Sequence, residues 1–159
     1  MKAAVITISD RASKGIYEDK SGPEIVSIIK EQVPECEVES IIVPDEKSEI
    51  LAAFEKFSHS DFIFTTGGTG IGPRDFTPEV TEEYCDKELP GISETIRALS
   101  YKETISAMLS RGYSGMKGNT IIVNFPGSVK AVRLCTSIVA PVMTHAVRMI
   151  KGEGHEHHK

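Results

Sequence analysis

Hydrophobic positions fall into alternating strand-like and helix-like blocks along the chain. AAVITIS (residues 3–9) is a continuous apolar, β-branched run, the pattern of a buried strand. Ser21 and Glu24 have capping-box spacing with Pro23 in the first turn, and Ile25, Val26, Ile28, Ile29 and Val33 follow at helical spacing. VESIIV (38–43) predicts a second strand, closed by Pro44-Asp45; Ile50, Leu51, Phe54 and Phe57 then form one face of a second helix. DFIFTT (61–66) predicts a third strand that ends in a glycine-rich loop. Thr77-Pro78 reads as a cap followed by a first-turn proline, opening a helix across EVTEEYCDK (79–87). Ile92, Ile96 and Leu99 mark another helix after Pro90-Gly91. NTIIVNFPG (119–127) predicts a fourth strand. The long helix after it has Val132, Cys135, Val139, Val142, Ala146 and Ile150 on its inner face, with a kink expected at Pro141.

Strands separated by helices imply right-handed crossovers and a mostly parallel sheet covered on both faces. Ligands of such sheets bind outside the carboxyl ends of the strands. The segments SDRAS, PDE, GGTGIGPRD and PGS are therefore expected to gather at one rim.

Composition narrows the picture. A chain of 159 residues, 40% hydrophobic and 26% charged, is one globular domain, read as 1–151 with a frayed polar tail at 152–159. The net charge of −5 gives no basic field for nucleic acid. Three cysteines, Cys36, Cys85 and Cys135, lack the spacing of a disulfide framework or zinc site and read as buried thiols in a reducing cytoplasm. No signal segment or membrane span is seen, so the expectation is a cytoplasmic protein.

The chemistry concentrates in TTGGTGIGPRDFTPE (65–79). Gly67 and Gly72 have P-loop separation, but Pro73-Arg74 stand where Lys-Ser/Thr should, so the P-loop lysine is missing. Gly68 and Gly70 begin a dinucleotide fingerprint, but Pro73 occupies its last position. Clustered glycines after a parallel strand still let backbone N–H groups wrap an anion, and Thr69 adds a hydroxyl. A tight turn without ligand is the competing reading; four glycines in six residues exceed what a turn needs.

Asp10, Asp45 and Asp75 each follow a predicted strand. Asp45 could simply cap the helix that starts near Glu46, whereas Asp75 has a rival cap in Thr77. Carboxylates beside an anion loop make sense when Mg²⁺ bridges them to phosphate oxygens. Ser110, Arg111, Ser114 and Lys117 precede the fourth strand, and Gly127, Ser128 and Lys130 follow it, suggesting a second anion-binding half with Ser128 as an N-cap. Serine-rich loops are also commonly just solvated, and Lys130 could snorkel. The histidines form no triad or Cys-His pair, so covalent catalysis has no candidate; HEHH (155–158) belongs to the tail.

The segments ISDRASKGIYEDKSGP, VPDE, TTGGTGIGPRDFTPE, LPGI, AMLSRGYSG and NFPGSVKAV resemble, in order, the signatures of MogA/MoaB-type molybdenum cofactor biosynthesis proteins, a module also found as one domain of gephyrin. The resemblance implies an α/β fold, a three-layer α/β/α sandwich with a mostly parallel sheet. It implies molybdopterin adenylyltransfer, in which Mg-ATP and molybdopterin give adenylyl-molybdopterin and pyrophosphate; the alternative is a MoaB-like protein that binds molybdopterin with little or no catalysis. By motif, Asp45 and Asp75 match the essential acidic, Mg²⁺-holding positions. Gly67, Gly68, Thr69 and Gly70, with Asp10, match the nucleotide side. Ser100, Ser110, Arg111, Gly127 and Ser128 match the molybdopterin side. The resemblance further implies a homotrimer, or a hexamer as in MoaB-like members, and handover of product to a molybdenum-insertion protein.

Overall fold

The structure, a computed structural model, describes residues 1–153. Most of the 152–159 tail, including HEHH, lies outside the described residues. In chain order the elements are β1 (Lys2–Ile8), α1 (Asp10–Ser13), α2 (Ser21–Gln32), β2 (Glu37–Val43), α3 (Lys47–Lys56), β3 (Phe62–Thr66), α4 (Thr77–Tyr84), β4 (Lys87–Glu88), α5 (Pro90–Tyr101), a 3₁₀ turn (Ile105–Leu109), β5 (Ser114–Lys117), β6 (Thr120–Phe125) and α6 (Val129–Ile150). The sheet order is β2-β1-β3-β6-β5-β4; the first four strands are parallel, and β5 pairs antiparallel with both β6 and β4.

Strand alternation divides the core into two layers. Ala3 and Val5 of β1, Phe62 and Phe64 of β3, and Ile121, Val123 and Phe125 of β6 pack against α2, α5 and α6. Ala4, Ile6 and Ile8, with Ile63 and Ile122, face α3 and α4 instead. This is the expected three-layer sandwich. All five residues of β3 are buried, as a central parallel strand demands.

Several local expectations change. Ser21 does not cap α2, because it is already helical and Lys20 holds the N-cap position; from just outside, Asp19 Oδ1 accepts the Gly22 N–H of the first turn at 3.0 Å. Thr77 is likewise the first helical residue rather than a cap, and its hydroxyl donates to the Gly67 carbonyl at 3.0 Å. The helix it opens stops at Tyr84, because Lys87 is taken into β4. Leu51 is 43% exposed and Val142 48% exposed, and their places inside are filled by Ala53 and by Met143 and Val147. Pro141 sits within α6 without ending it.

SRGYSGMKG is not all loop. Its second half is β5, which pairs with β6 from Ser114↔Val123 to Lys117↔Thr120. Ser114 and Lys117 therefore leave the expected anion-binding half. The Ser114 hydroxyl, buried, donates to the Leu89 carbonyl at 2.7 Å, and Lys117 pairs with Asp86 at 3.1 Å. SGMK has no run of β-branched residues, so only its partner β6 makes it a strand.

Phe64 is fully buried, with ring centroids 5.6 Å from Phe62 and 5.4 Å from Phe125. Phe64→Ala is expected to destabilise the fold by about 3–5 kcal/mol, which a urea denaturation curve measures.

Candidate functional site

β3 and β6 are adjacent and in parallel register, Phe62↔Ile121 through Thr66↔Phe125. Their carboxyl ends deliver the glycine loop and the Pro126-Gly127-Ser128 turn side by side. The Gly67 N–H donates to the Phe125 carbonyl at 3.1 Å, and the Thr66 hydroxyl to the Pro126 carbonyl at 2.8 Å. A Cβ on Gly127 would sit 3.5 Å from the Gly67 Cα, so the two turns touch.

Four successive carbonyls of the loop are taken by donors from the protein. Gly67 O accepts the Thr77 hydroxyl at 3.0 Å and Gly68 O the Thr77 N–H at 3.2 Å. Thr69 O accepts the Arg111 N–H at 2.8 Å, and Gly70 O the Arg111 Nε at 2.7 Å. A planar trans peptide sets N–H opposite C=O, so the N–H groups of Gly68, Thr69, Gly70 and Ile71 turn the other way. Among the described residues no protein acceptor meets those four. Positive φ at Gly67 (101°) and Gly68 (66°) produces this concave backbone and explains why glycine stands there.

The loop borders a cavity of about 930 Å³, within the range of small-molecule sites. Gly67, Gly68, Thr69, Gly70 and Asp75 line one side; Gly127, Ser128, Ser100 and Ser110 line the other. Ser128 caps α6, its Oγ accepting the Ala131 N–H at 3.1 Å, so a helix N-terminus faces the same space as the glycine loop. Lys130 also lines the cavity and is paired with Glu103 at 3.2 Å. Of the residues matched to the molybdopterin side, Arg111 alone stands off the lining. It lies behind the glycine loop, against a smaller cavity of about 240 Å³.

Asp10 and Asp45 also lie off the lining, next to the loop. Their carboxylates and backbones bond reciprocally: the Asp10 N–H donates to Asp45 Oδ2 at 2.8 Å, and the Asp45 N–H to Asp10 Oδ1 at 3.0 Å. Asp45 thus ties β2's end to β1's and does not cap α3, which has no side-chain cap. A Cβ on Gly68 would come 3.4 Å from Asp45 Oδ1, which places that oxygen at the loop. Asp75 Oδ2 accepts the Gly72 N–H at 2.8 Å, closing the loop's far end.

Arg74, which the sequence offered only as part of a failed motif, joins these pieces. Its Nε donates to Asp10 Oδ2 at 2.7 Å, and its Nη2 to the Asp45 carbonyl at 3.0 Å and to Glu46 Oε1 at 2.7 Å. The guanidinium lowers the Asp10 pKa. Asp45 is raised, first by burial and then, against the pull of its hydrogen bond to the Asp10 backbone, by the charges of Asp10 and Asp75.

No group of three or more His, Cys, Asp or Glu among the described residues could cage a metal. For Mg²⁺, which is ordinarily bound by one or two carboxylates together with phosphates and water, the carboxylates to consider are Asp45 and Asp75. Asp45 and Asp75 each commit Oδ2 to a backbone N–H, and among the described residues no donor meets either Oδ1. Burial is the main reason the Asp45 pKa is raised; the smaller contribution from the charges of Asp10 and Asp75 is the part a cation would offset.

A mostly parallel sheet with two turns of exposed N–H groups in contact over one cavity fits the class of α/β proteins that bind small molecules at the carboxyl ends of their strands. The chain belongs to the molybdopterin-binding domain family: the family described as "Probable molybdopterin binding domain" matches residues 4–145. A molybdopterin adenylyltransferase of Helicobacter pylori is 41% identical over 152 residues, covering 93% of this chain and 86% of that protein. The molybdenum cofactor synthesis protein cinnamon of Drosophila melanogaster is 43% identical over 149 residues, which cover 92% of this chain but only 25% of cinnamon. A solved structure of MogA superposes with a TM-score of 0.88 at 34% identity, covering 94% of this chain and 99% of that one. No helix among the described residues is long and apolar enough to cross a membrane.

The Arg74 latch carries a pH signature. Asp10, whose pKa lies below its ordinary 3.8, contributes stability above that value and loses it as pH falls through its folded pKa. In Arg74→Gln the acid loss below pH about 4 is expected to be shallower than in the parent, compared by denaturant unfolding at neutral and acid pH. An identical acid slope would show that the latch does not hold in solution.

Proposed function

We propose that the protein is a molybdopterin adenylyltransferase, converting Mg-ATP and molybdopterin to adenylyl-molybdopterin and pyrophosphate. The observation that carries this is the contact between Gly67 and Gly127, which sets two anion cradles in one cavity. Adenylyl transfer requires two phosphorylated substrates whose reacting phosphates meet, and two adjoining turns over one cavity support that reading.

In this reading the four free N–H groups of the glycine loop and Thr69 hold the ATP phosphates. Ser100, Ser110, Gly127 and Ser128 hold molybdopterin, with its terminal phosphate toward the α6 N-terminus. A phosphate oxygen of molybdopterin attacks the α-phosphorus in line, a new P–O bond forms, and the bond to the β-phosphate oxygen breaks, releasing pyrophosphate. The nucleophile is already anionic, so no strong protein base is called for. Positioning and charge neutralisation supply the rate. Asp45 and Asp75 offer Oδ1 atoms to Mg²⁺ entering with ATP, which would neutralise phosphate charge. Asp10 supports the nucleotide side through its bonds to Asp45. The family resemblance extends the proposal to a homotrimer working in the cytoplasm, with product passed to a molybdenum-insertion protein.

Incubation with Mg-ATP and molybdopterin is expected to release pyrophosphate stoichiometrically with adenylyl-molybdopterin. Molybdopterin binding without pyrophosphate would instead identify a binding protein. Asp75→Asn is expected to lower the rate on the order of 10²-fold or more, the usual worth of an electrostatic group at such a site; near-normal turnover would remove Asp75 from the chemistry.

A further inference from the structure

We infer that Arg111 is a positioning residue that aims the glycine loop from behind, rather than a ligand of either substrate. The inference rests on the reading of that loop as the ATP phosphate cradle. The Arg111 backbone N–H holds the Thr69 carbonyl at 2.8 Å, its Nε holds the Gly70 carbonyl at 2.7 Å, and its Nη2 holds the Asp75 carbonyl at 2.8 Å. The remaining arm, Nη1, is paired with Glu79 in the first turn of α4. One residue therefore pins the third and fourth carbonyls of the loop and the backbone of its acidic end.

Each pinned carbonyl fixes the N–H on the opposite edge of the same peptide. Thr69 O sets the Gly70 N–H and Gly70 O sets the Ile71 N–H, which makes half of the four-donor cradle dependent on residue 111. Thr77 sets the other half through Gly67 O and Gly68 O. Glycine peptides flip readily, because no Cβ penalises either orientation. An external clasp is what converts such a flexible loop into fixed, aimed donors.

The electrostatics point the same way. A guanidinium meant to meet phosphate would present its charge to the cavity, yet Arg111 is absent from the cavity lining and spends its charge on Glu79. Burial pushes the Glu79 carboxyl up, but the Arg111 hydrogen bond and charge, with a backbone N–H, bring it below its ordinary value. Glu79 Oε2 is buried with no partner among the described residues, a cost consistent with a carboxylate kept to hold one particular arginine.

Lysine separates the two roles, since it keeps the charge and a bond to Glu79 but lacks the planar fork that reaches two carbonyls at once. Calorimetric titration of the full chain with Mg-ATP and with inorganic tripolyphosphate is expected to show Arg111→Lys weakened by about 10- to 100-fold, as loss of charge-assisted hydrogen bonds implies. Molybdopterin affinity should be unchanged. The ¹⁵N–¹H signals of Gly70 and Ile71 should also move in the ligand-free variant, while signals of β1 and β6 stay in place and report an intact fold. Parent-like tripolyphosphate binding by Arg111→Lys, or a selective loss of molybdopterin, would overturn the inference in favour of a charge ligand. Failure of the parent protein itself to bind either polyphosphate would overturn the nucleotide reading, and the clasp with it.

Discussion

Parallel pairing of β3 with β6 is the constraint on which the site depends. Thr66 opposite Phe125 ends two neighbouring strands at the same level, so the chain leaves both at the same rim. The glycine loop and the Pro126-Gly127-Ser128 turn then touch at Gly67 and Gly127, while any side chain at Gly67 would meet the Ile8 backbone at the end of β1. The register is held by burial on both faces, Phe64 and Val123 on one and Ile63 and Ile122 on the other. A slip by one residue would exchange those faces and separate the turns.

Charge is the second constraint. A net charge of −5 and three aspartates around the loop would repel the anions its N–H groups attract. The protein answers with two arginines used inwardly. Arg74 binds Asp10, Glu46 and the Asp45 carbonyl, tying the ends of β1 and β2 to the loop. Arg111 binds Glu79 and two loop carbonyls. Neither lines the large cavity. The positive side chains that do line it are themselves engaged, Lys130 with Glu103, Arg133 with Glu24 and Arg97 with the Gly112 carbonyl, which leaves backbone dipoles and the α6 terminus as its unpaired positive ends.

Legibility in the sequence followed the range of the interactions involved. The four parallel strands and the helices between them were readable because burial on two faces leaves continuous apolar runs, as in AAVITIS and TIIVNF. β4 and β5 were not, because Lys87-Glu88 and SGMK owe their strand state to an antiparallel neighbour alone. Caps were misplaced by two residues or fewer wherever several polar residues crowd a helix start, as at Asp19 and Ser21; which oxygen faces the free N–H is set by backbone torsions. The inner face of α6 drifted from Val142 to Met143 over three turns, since a period slightly misjudged rotates the stripe.

By itself the sequence determined the fold class, the gathering of SDRAS, PDE, the glycine loop and PGS at the carboxyl rim, and the chemistry available there. Those follow from periodicity and from glycine's freedom to expose N–H groups, which are local properties. Tertiary structure alone decided which way each peptide of the loop faces, that Asp45 bonds Asp10 rather than capping a helix, and that Arg74 and Arg111 act as struts. Arg111 meets the loop from about forty residues away in the chain, and hydrogen-bond partners at that range are chosen by the packed geometry of the whole sheet.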